Sequence, residues 1–70
     1  MTNLHKILKQ LRLENNLSQK DLSQILGVNH RTICNWEAAR NEPDLSMLVK
    51  IANSFNVTTD YLLGREDYHI

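Results

Sequence analysis

The stretch SQKDLSQILGVNHRTICNWE, residues 18–37, decides the fold of this chain because helix start and stop signals alternate within it. Ser18 is a favourable N-cap, and Asp21 follows at the third helical position, so the two residues can form a capping box. Gly27 then stops the segment, because glycine adopts the left-handed conformation of a helix end without steric strain. A helix over about residues 18–26 is therefore predicted.

Apolar side chains recur through the same stretch at helical spacing. The apolar face of the helix over residues 18–26 consists of Leu22, Ile25 and Leu26. After the glycine, Asn29 can cap another helix over about residues 30–38, whose Ile33 and Trp36 face the core. The opposite side of the helix over residues 30–38 carries His30, Arg31, Cys34, Asn35 and Ala38. Two short helices joined by a glycine turn, the second with a polar outer face, form a helix-turn-helix pattern.

Three further amphipathic segments flank this pattern. The first begins near Thr2 or Asn3, and its apolar stripe comprises Leu4, Ile7, Leu8 and Leu11. The fourth helix follows an N-cap at Asp44, and its apolar positions are Leu45, Leu48, Ile51, Ala52 and Phe55. A short fifth helix is predicted between its N-cap, Thr58, and its stop, Gly64. No stretch alternates as a strand does, so the predicted fold class is all-α with five helices.

Seventy residues make one small domain, predicted over residues 1–65 and followed by a tail over residues 66–70. The tail is either disordered or a partner contact through Tyr68 and Ile70. A chain of this size buries only ~60% of its unfolded surface, which favours dimerisation. The single cysteine excludes an internal disulfide and fits a reducing compartment. No apolar run approaches the ~18 residues of a membrane span, so we expect a cytoplasmic location without membrane association.

Charge is unevenly distributed although the formal net charge is zero. Residues 1–40 carry a net charge of +3 and residues 41–70 a net charge of −3, with histidine counted as neutral. The positive half contains the polar helix face and can approach phosphate, whereas zero net charge alone argues against a nucleic-acid partner. The alternative is ordinary solvated charge, and the totals do not separate the two interpretations.

In the two helices over residues 18–38, individual residues match a known signature, in addition to the general helix-turn-helix spacing. Position by position, they resemble the signature of the phage-repressor and Cro family of Xre-type helix-turn-helix proteins, at Gln19, Leu22, Ser23, Leu26, Gly27, Val28, Ile33, Trp36 and Glu37. The resemblance continues through Glu42, Pro43 and Asp44 to residues 58–64, and it covers about residues 4–65. It implies a compact lambda-repressor-like domain, with the helix-turn-helix at helices 2 and 3, that acts as a DNA-binding transcriptional regulator and not as an enzyme.

The outward face of the third helix is the predicted base-reading surface. Arg31 can donate two hydrogen bonds to guanine O6 and N7, and Asn35 can pair with adenine N6 and N7. The resemblance assigns base reading to the matching positions His30, Arg31 and Asn35, with Asn29 at the cap. Thr32 either bonds back within the first turn or contacts a thymine methyl group. A solvated helix face is the alternative interpretation of this surface.

Three polar residues at the flanks are predicted to contact phosphate, namely Gln19, Ser18 and Arg40. Gln19 stands at the N-terminus of the second helix, where free backbone amides and the helix dipole favour a phosphate. In similar proteins the matching glutamine contacts the DNA backbone and supports the reading residues. The resemblance also implies a salt bridge between Arg12 and Glu37, which we interpret as structural.

The end of the third helix departs from the family pattern. Ala39 occupies the place where these proteins often have glycine, and alanine in a left-handed conformation costs about 1–2 kcal/mol. We therefore expect this helix to end differently, near Asn41. Cys34 is interpreted as a small spacer in preference to a redox sensor, and Trp36 as a core and edge anchor in preference to a stacking platform.

No catalytic or metal site is predicted. The histidines lie far apart in sequence, and none forms a metal-binding spacing with Cys34. Gly27 and Gly64 are the only glycines, which excludes a glycine-rich phosphate loop. Neither a cofactor nor a small-molecule ligand is expected.

The predicted partner is double-stranded DNA that carries an inverted-repeat operator. A homodimer would bind it with half-sites about 34 Å apart. The predicted dimer contact lies in helix 5 and the tail, at Tyr61, Leu63, Tyr68 and Ile70. Three alternatives remain: an antitoxin or a restriction-modification controller with the same DNA-binding face, and a protein-interaction adapter that has lost DNA binding.

Overall fold

The computed structural model describes residues 2–65, which contain five α-helices and no strand. The helices are α1 (Leu4–Glu14), α2 (Gln19–Leu26), α3 (His30–Glu37), α4 (Leu45–Phe55) and α5 (Thr59–Leu62). The predicted all-α fold with five helices is confirmed. The bounds of α2 lie within one residue of those predicted, and α3 begins at the predicted residue, His30. Within residues 2–65, no helix is long and apolar enough to cross a membrane.

Four of the helices begin with a side-chain cap, as the sequence predicts. The caps of α2 to α5 accept a hydrogen bond from the third backbone amide of their helix, at Ser18, Asn29, Asp44 and Thr58. The cap of α2 is a complete capping box: Asp21 N donates to Ser18 Oγ, and Ser18 N donates to the Asp21 carboxylate, both at 2.9 Å. The Ser18 backbone amide that donates to the carboxylate, and to a lesser extent the Ser18 side chain, lower the pKa of Asp21 below its ordinary value of 3.8.

All five helices end in the same way. The chain turns through a left-handed residue after each helix, at Asn16, Gly27, Ala39, Asn56 and Gly64. The next residue then donates its amide to a carbonyl five positions back, as in a Schellman motif. Glycine and asparagine tolerate this conformation, so every position except Ala39 carries a suitable residue. The predicted stops at Gly27 and Gly64 are confirmed.

The predicted end of α3 near Asn41 is wrong. Ala39 adopts the left-handed conformation, with φ of 60°, and α3 ends at Glu37. Two hydrogen bonds hold the turn: Ala39 N donates to Trp36 O at 3.1 Å, and Arg40 N donates to Asn35 O at 2.9 Å. Because these bonds and the buried indole fix the course of the chain, the turn keeps its geometry in spite of the Cβ strain.

The core lies among all five helices. The largest fully buried side chains are Leu8, Leu22, Leu26, Ile33, Ile51 and Leu62. Ser23 on α2 is buried among them, and its hydroxyl donates to Lys20 O at 2.6 Å, so a small polar residue permits close helix packing without an unpaired group.

Two predicted core positions are wrong. Ile25 is 50% exposed, because Leu22, Ser23 and Leu26 define the buried face of α2 and Ile25 lies at its edge. Leu45 is 82% exposed. It is the first residue of α4, almost one turn before the first buried position, so its side chain extends into solvent.

Candidate nucleic-acid interface

The polar face of α3 stands at the molecular surface because the opposite side of this helix is buried. Ile33 is fully buried and Trp36 is 7% exposed, which confirms that both face the core. The outward side chains of the face are His30, Arg31, Cys34 and Asn35. His30 and Arg31 at the start of the helix are exposed, and Asn35, one turn further on, is half-buried. The structure therefore brings the three predicted reading residues onto one face.

A bidentate ion pair anchors the other end of α3 to α1. Arg12 Nε donates to Glu37 Oε2 at 2.7 Å, and Arg12 Nη2 donates to Glu37 Oε1 at 3.0 Å. Both side chains are nearly buried, and the third guanidinium nitrogen donates to Leu17 O at 2.8 Å. The hydrogen bonds to Glu37 raise the pKa of Arg12 above its ordinary value. The predicted salt bridge between helices 1 and 3 is present.

Gln19 links this ion pair to the polar face. Its amide nitrogen donates to Glu37 Oε1 at 3.1 Å. Its carbonyl oxygen lies 3.2 Å from His30 Nε2 and accepts a hydrogen bond from Cys34 Sγ at 3.0 Å. Gln19 thus spans from the start of α2 to both ends of α3. We call the side chains of Arg12, Glu37 and Gln19 the support network, because they connect the buried ion pair to His30.

Sequence reasoning missed the contact of Cys34. Its sulfur also lies 3.6 Å from His30 Nε2, so the thiol packs between the imidazole and the Gln19 amide. The signal that could have revealed this contact is the spacing of four residues between His30 and Cys34, which places them on the same side of a helix.

The remaining predicted reading residues also have intramolecular partners. Asn29 caps α3: its Oδ1 accepts from Thr32 N at 3.2 Å and lies 3.5 Å from Thr32 Oγ1. The hydroxyl of Thr32 therefore bonds to the cap, and this residue lies at the margin of the polar face. Arg40 Nη1 donates to Asn35 Oδ1 at 3.1 Å, so Arg40 lies against the face itself.

The surroundings of the face carry both signs of charge. Arg31, Arg40 and the exposed Lys20 supply positive charge. A cavity of about 420 Å³ lies beside the face, and Glu42 and Asp44 line it together with Asn35. Within residues 2–65, no three histidine, cysteine, aspartate or glutamate side chains are grouped as a metal ion requires. The arrangement is therefore a hydrogen-bonding surface with positive charge at its edge.

Comparison with known proteins gives relatives of one kind. A helix-turn-helix family model matches residues 8–62. The HTH-type transcriptional regulator ImmR of Bacillus subtilis is 36% identical over 64 residues, which are 91% of this chain and 50% of the relative. The HTH-type transcriptional activator BcrR of Enterococcus faecalis is 38% identical over 60 residues, which are 86% of this chain and 29% of the relative. The chain thus spans half or less of the length of these two curated relatives.

A shorter relative and the solved structures agree with this grouping. The HTH-type regulator MJ0272 of Methanocaldococcus jannaschii is 38% identical over 60 residues, 86% of this chain and 91% of the relative. The P22 c2 repressor, solved in complex with a synthetic operator, has a TM-score of 0.85 at 23% identity, over 94% of this chain and all of that one. A transcriptional regulator from Listeria innocua has a TM-score of 0.88 at 23% identity, over 100% of this chain and 65% of that one. At that identity, these two structures establish the shared fold. From the family match and its relatives, the chain belongs to the Xre-type helix-turn-helix family of the phage repressors and Cro proteins.

Proposed function

We propose that this chain is a sequence-specific DNA-binding regulator of transcription that reads the major groove of an inverted-repeat operator with α3. The proposal rests on the polar face of α3, which points away from the core. The support network lies on the inner side of this face and is joined to it by hydrogen bonds. A recognition helix enters the groove with its N-terminal residues against base edges, and His30 and Arg31 are the first two residues of α3. The family to which the chain belongs consists of DNA-binding transcriptional regulators, a class without enzymatic activity.

Base reading is assigned to side chains with free hydrogen-bonding groups. Arg31 is exposed, and its guanidinium fork suits O6 and N7 of guanine. Asn35 gives its oxygen to Arg40, so its amide nitrogen is the group directed to a base acceptor. Asn29 and Thr32 bond to each other, which favours a supporting role for both at the start of the helix.

Phosphate contacts are assigned to the flanks of the face. Ser18 and Gln19 lie at the N-terminus of α2, where backbone amides and the helix dipole attract an anion. Arg40 lies just beyond the end of α3 and carries the charge for the opposite flank. These contacts fix the position of the protein on the duplex and do not report sequence.

A homodimer suits this mode of binding, because one small module covers few base pairs. The proposed contact includes Tyr61 and Leu63, which are half-buried against the core at the end of α5. The other two predicted contact residues, Tyr68 and Ile70, lie outside the described residues. Two copies related by a twofold axis would place their α3 helices about 34 Å apart, in successive major grooves.

A protein-interaction adapter is the second candidate function. The acidic residues Glu42 and Asp44 beside Asn35 favour it, because they repel phosphate near the proposed groove surface. Antitoxins and restriction-modification controllers share the DNA-binding proposal and differ in their partners. An antitoxin would in addition retain a toxin in a pull-down assay.

Selection from randomised duplex DNA, at two salt concentrations, tests the proposal. The protein should enrich an inverted repeat, and its affinity should fall steeply with salt. The Arg31→Ala variant should lose discrimination at one base pair of each half-site, whereas Lys9→Ala, which removes an equal charge from the exposed side of α1, should keep the same motif. No enrichment even at low salt would contradict DNA reading and favour the adapter.

A further inference from the structure

The support network fixes the orientation of the Gln19 amide. The Glu37 carboxylate is paired with Arg12 and can only accept hydrogen bonds. The Gln19 group that lies 3.1 Å from this carboxylate must therefore be its NH2 group. Consequently the carbonyl oxygen of Gln19 faces the polar side of α3.

This orientation determines which nitrogen of His30 carries hydrogen. The Gln19 oxygen lies 3.2 Å from His30 Nε2, a distance at which two lone pairs repel each other. A hydrogen on Nε2 converts the contact into a hydrogen bond, and the Cys34 sulfur at 3.6 Å is a second acceptor for it. In neutral imidazole only one nitrogen bears hydrogen, so Nδ1 is left with a lone pair. Among residues 2–65, the hydrogen bonds of His30 all involve Nε2, and Nδ1 stays available.

We propose that Gln19 sets the base preference of His30 without touching the base. It holds the neutral imidazole with Nδ1 as an acceptor, so His30 selects a base that offers an exocyclic amine in the major groove. The bases that do so are adenine, through N6, and cytosine, through N4, whereas guanine and thymine offer acceptors at the corresponding positions. This inference rests on the proposed function, in which His30, the first residue of α3, faces a base edge.

The tautomer of His30 can be measured without DNA. Long-range proton–nitrogen NMR correlations distinguish Nε2–H from Nδ1–H imidazole, and His5 on α1 provides an internal reference. The Nε2–H tautomer of His30 should be more highly populated than that of His5, and Gln19→Ala should lower it to the level of His5. Gln24→Ala, at an exposed glutamine of the same helix, should leave it unchanged. A predominantly Nδ1–H imidazole in the wild-type protein would overturn the inference whatever the protein binds.

The base preference is measured on the selected operator. Loss of discrimination in His30→Ala identifies the base pair that His30 faces. Each pair contains one base with a major-groove amine, adenine or cytosine, and we expect His30 to contact that base. Replacing adenine there by purine, or cytosine by 2-pyrimidinone, removes the amine and should weaken wild-type binding about tenfold while leaving His30→Ala binding unchanged. Gln19→Met, which keeps the bulk but lacks the oxygen, should reduce this effect to about twofold, and circular dichroism checks that it is folded.

Two results separate failure of the inference from failure of the proposed function. Full tolerance of the amine deletion at the base pair that His30 faces overturns the inference and leaves DNA reading intact. Failure to enrich any operator overturns the proposed function, and the inference about base preference falls with it.

Discussion

Arg12 on α1 and Glu37, the last residue of α3, form a nearly buried bidentate ion pair with nitrogen–oxygen distances of 2.7 and 3.0 Å. The pair joins the first helix of the chain to the helix that carries the polar face. Through Gln19 the same carboxylate also orients the start of that face. A contact that stabilises the fold therefore also positions a residue that we assign to base reading.

Removal of Arg12 should be strongly destabilising. The Arg12→Ala variant leaves the Glu37 carboxylate buried without its counter-charge, and breaking such a pair costs about 3–5 kcal/mol. Urea unfolding followed by circular dichroism measures the loss, with Lys9→Ala on the exposed side of α1 as the control. An unfolding midpoint for Arg12→Ala close to that of the wild-type protein would show that the pair is not structural.

Relief of the backbone strain at the end of α3 should stabilise the protein. Ala39→Gly should raise the free energy of unfolding by about 0.5–1 kcal/mol, because the left-handed strain of about 1–2 kcal/mol is removed and the added backbone entropy of glycine offsets part of the gain. Ala38→Gly is the matched control: it has φ of −87°, gains nothing from glycine, and should be destabilising by about 0.5–1 kcal/mol. Equal effects of the two changes would mean that the turn at Ala39 is unstrained.

Acid should weaken the cap of α2 through Asp21. Its hydrogen bonds with Ser18 hold the folded pKa below the ordinary value of 3.8, so the folded state binds its proton less readily than the unfolded state. The stabilisation is therefore fully present above pH 3.8 and is lost as the pH falls through the lower folded pKa. Thermal unfolding between pH 7 and pH 2 should show a smaller acid-dependent loss for Asp21→Asn than for the wild-type protein. An equal acid-dependent loss in the two proteins would show that Asp21 does not stabilise the cap.

The helices were predictable from sequence because their start and stop signals act within a few residues. Ser18 and Asn29 could be predicted as caps from the residues of the first helical turn alone. Ala39 could not be read in this way, since its left-handed conformation is imposed by the turn that surrounds Trp36 and Arg40. Local propensity predicted a different helix end, and tertiary structure overrode it.

The candidate site was predictable in its membership and not in its connections. The helical period alone placed His30 on the outward side of α3. That Gln19 meets His30 and Cys34 depends on how α2 packs against α3, which no local pattern specifies. The same limit explains Leu45, whose position fits the helical period although its side chain lies beyond the end of the core.

Removal of either of the two arginines at opposite ends of the polar face should impair DNA binding, each in a different way. Arg31→Ala should cost about 1–3 kcal/mol at one base pair and leave binding to other sequences nearly unchanged, because its exposed fork is assigned to a base. Arg40→Ala should weaken binding to all sequences and reduce the slope of log affinity against log salt by about 1, because its charge is assigned to phosphate. Titrations of the operator and of scrambled duplexes at three salt concentrations measure both quantities.

The contact between Arg40 Nη1 and Asn35 Oδ1 makes the Arg40→Ala variant the sharper test. If Arg40→Ala keeps the wild-type salt slope and loses discrimination instead, Arg40 acts by orienting Asn35 and not by binding phosphate.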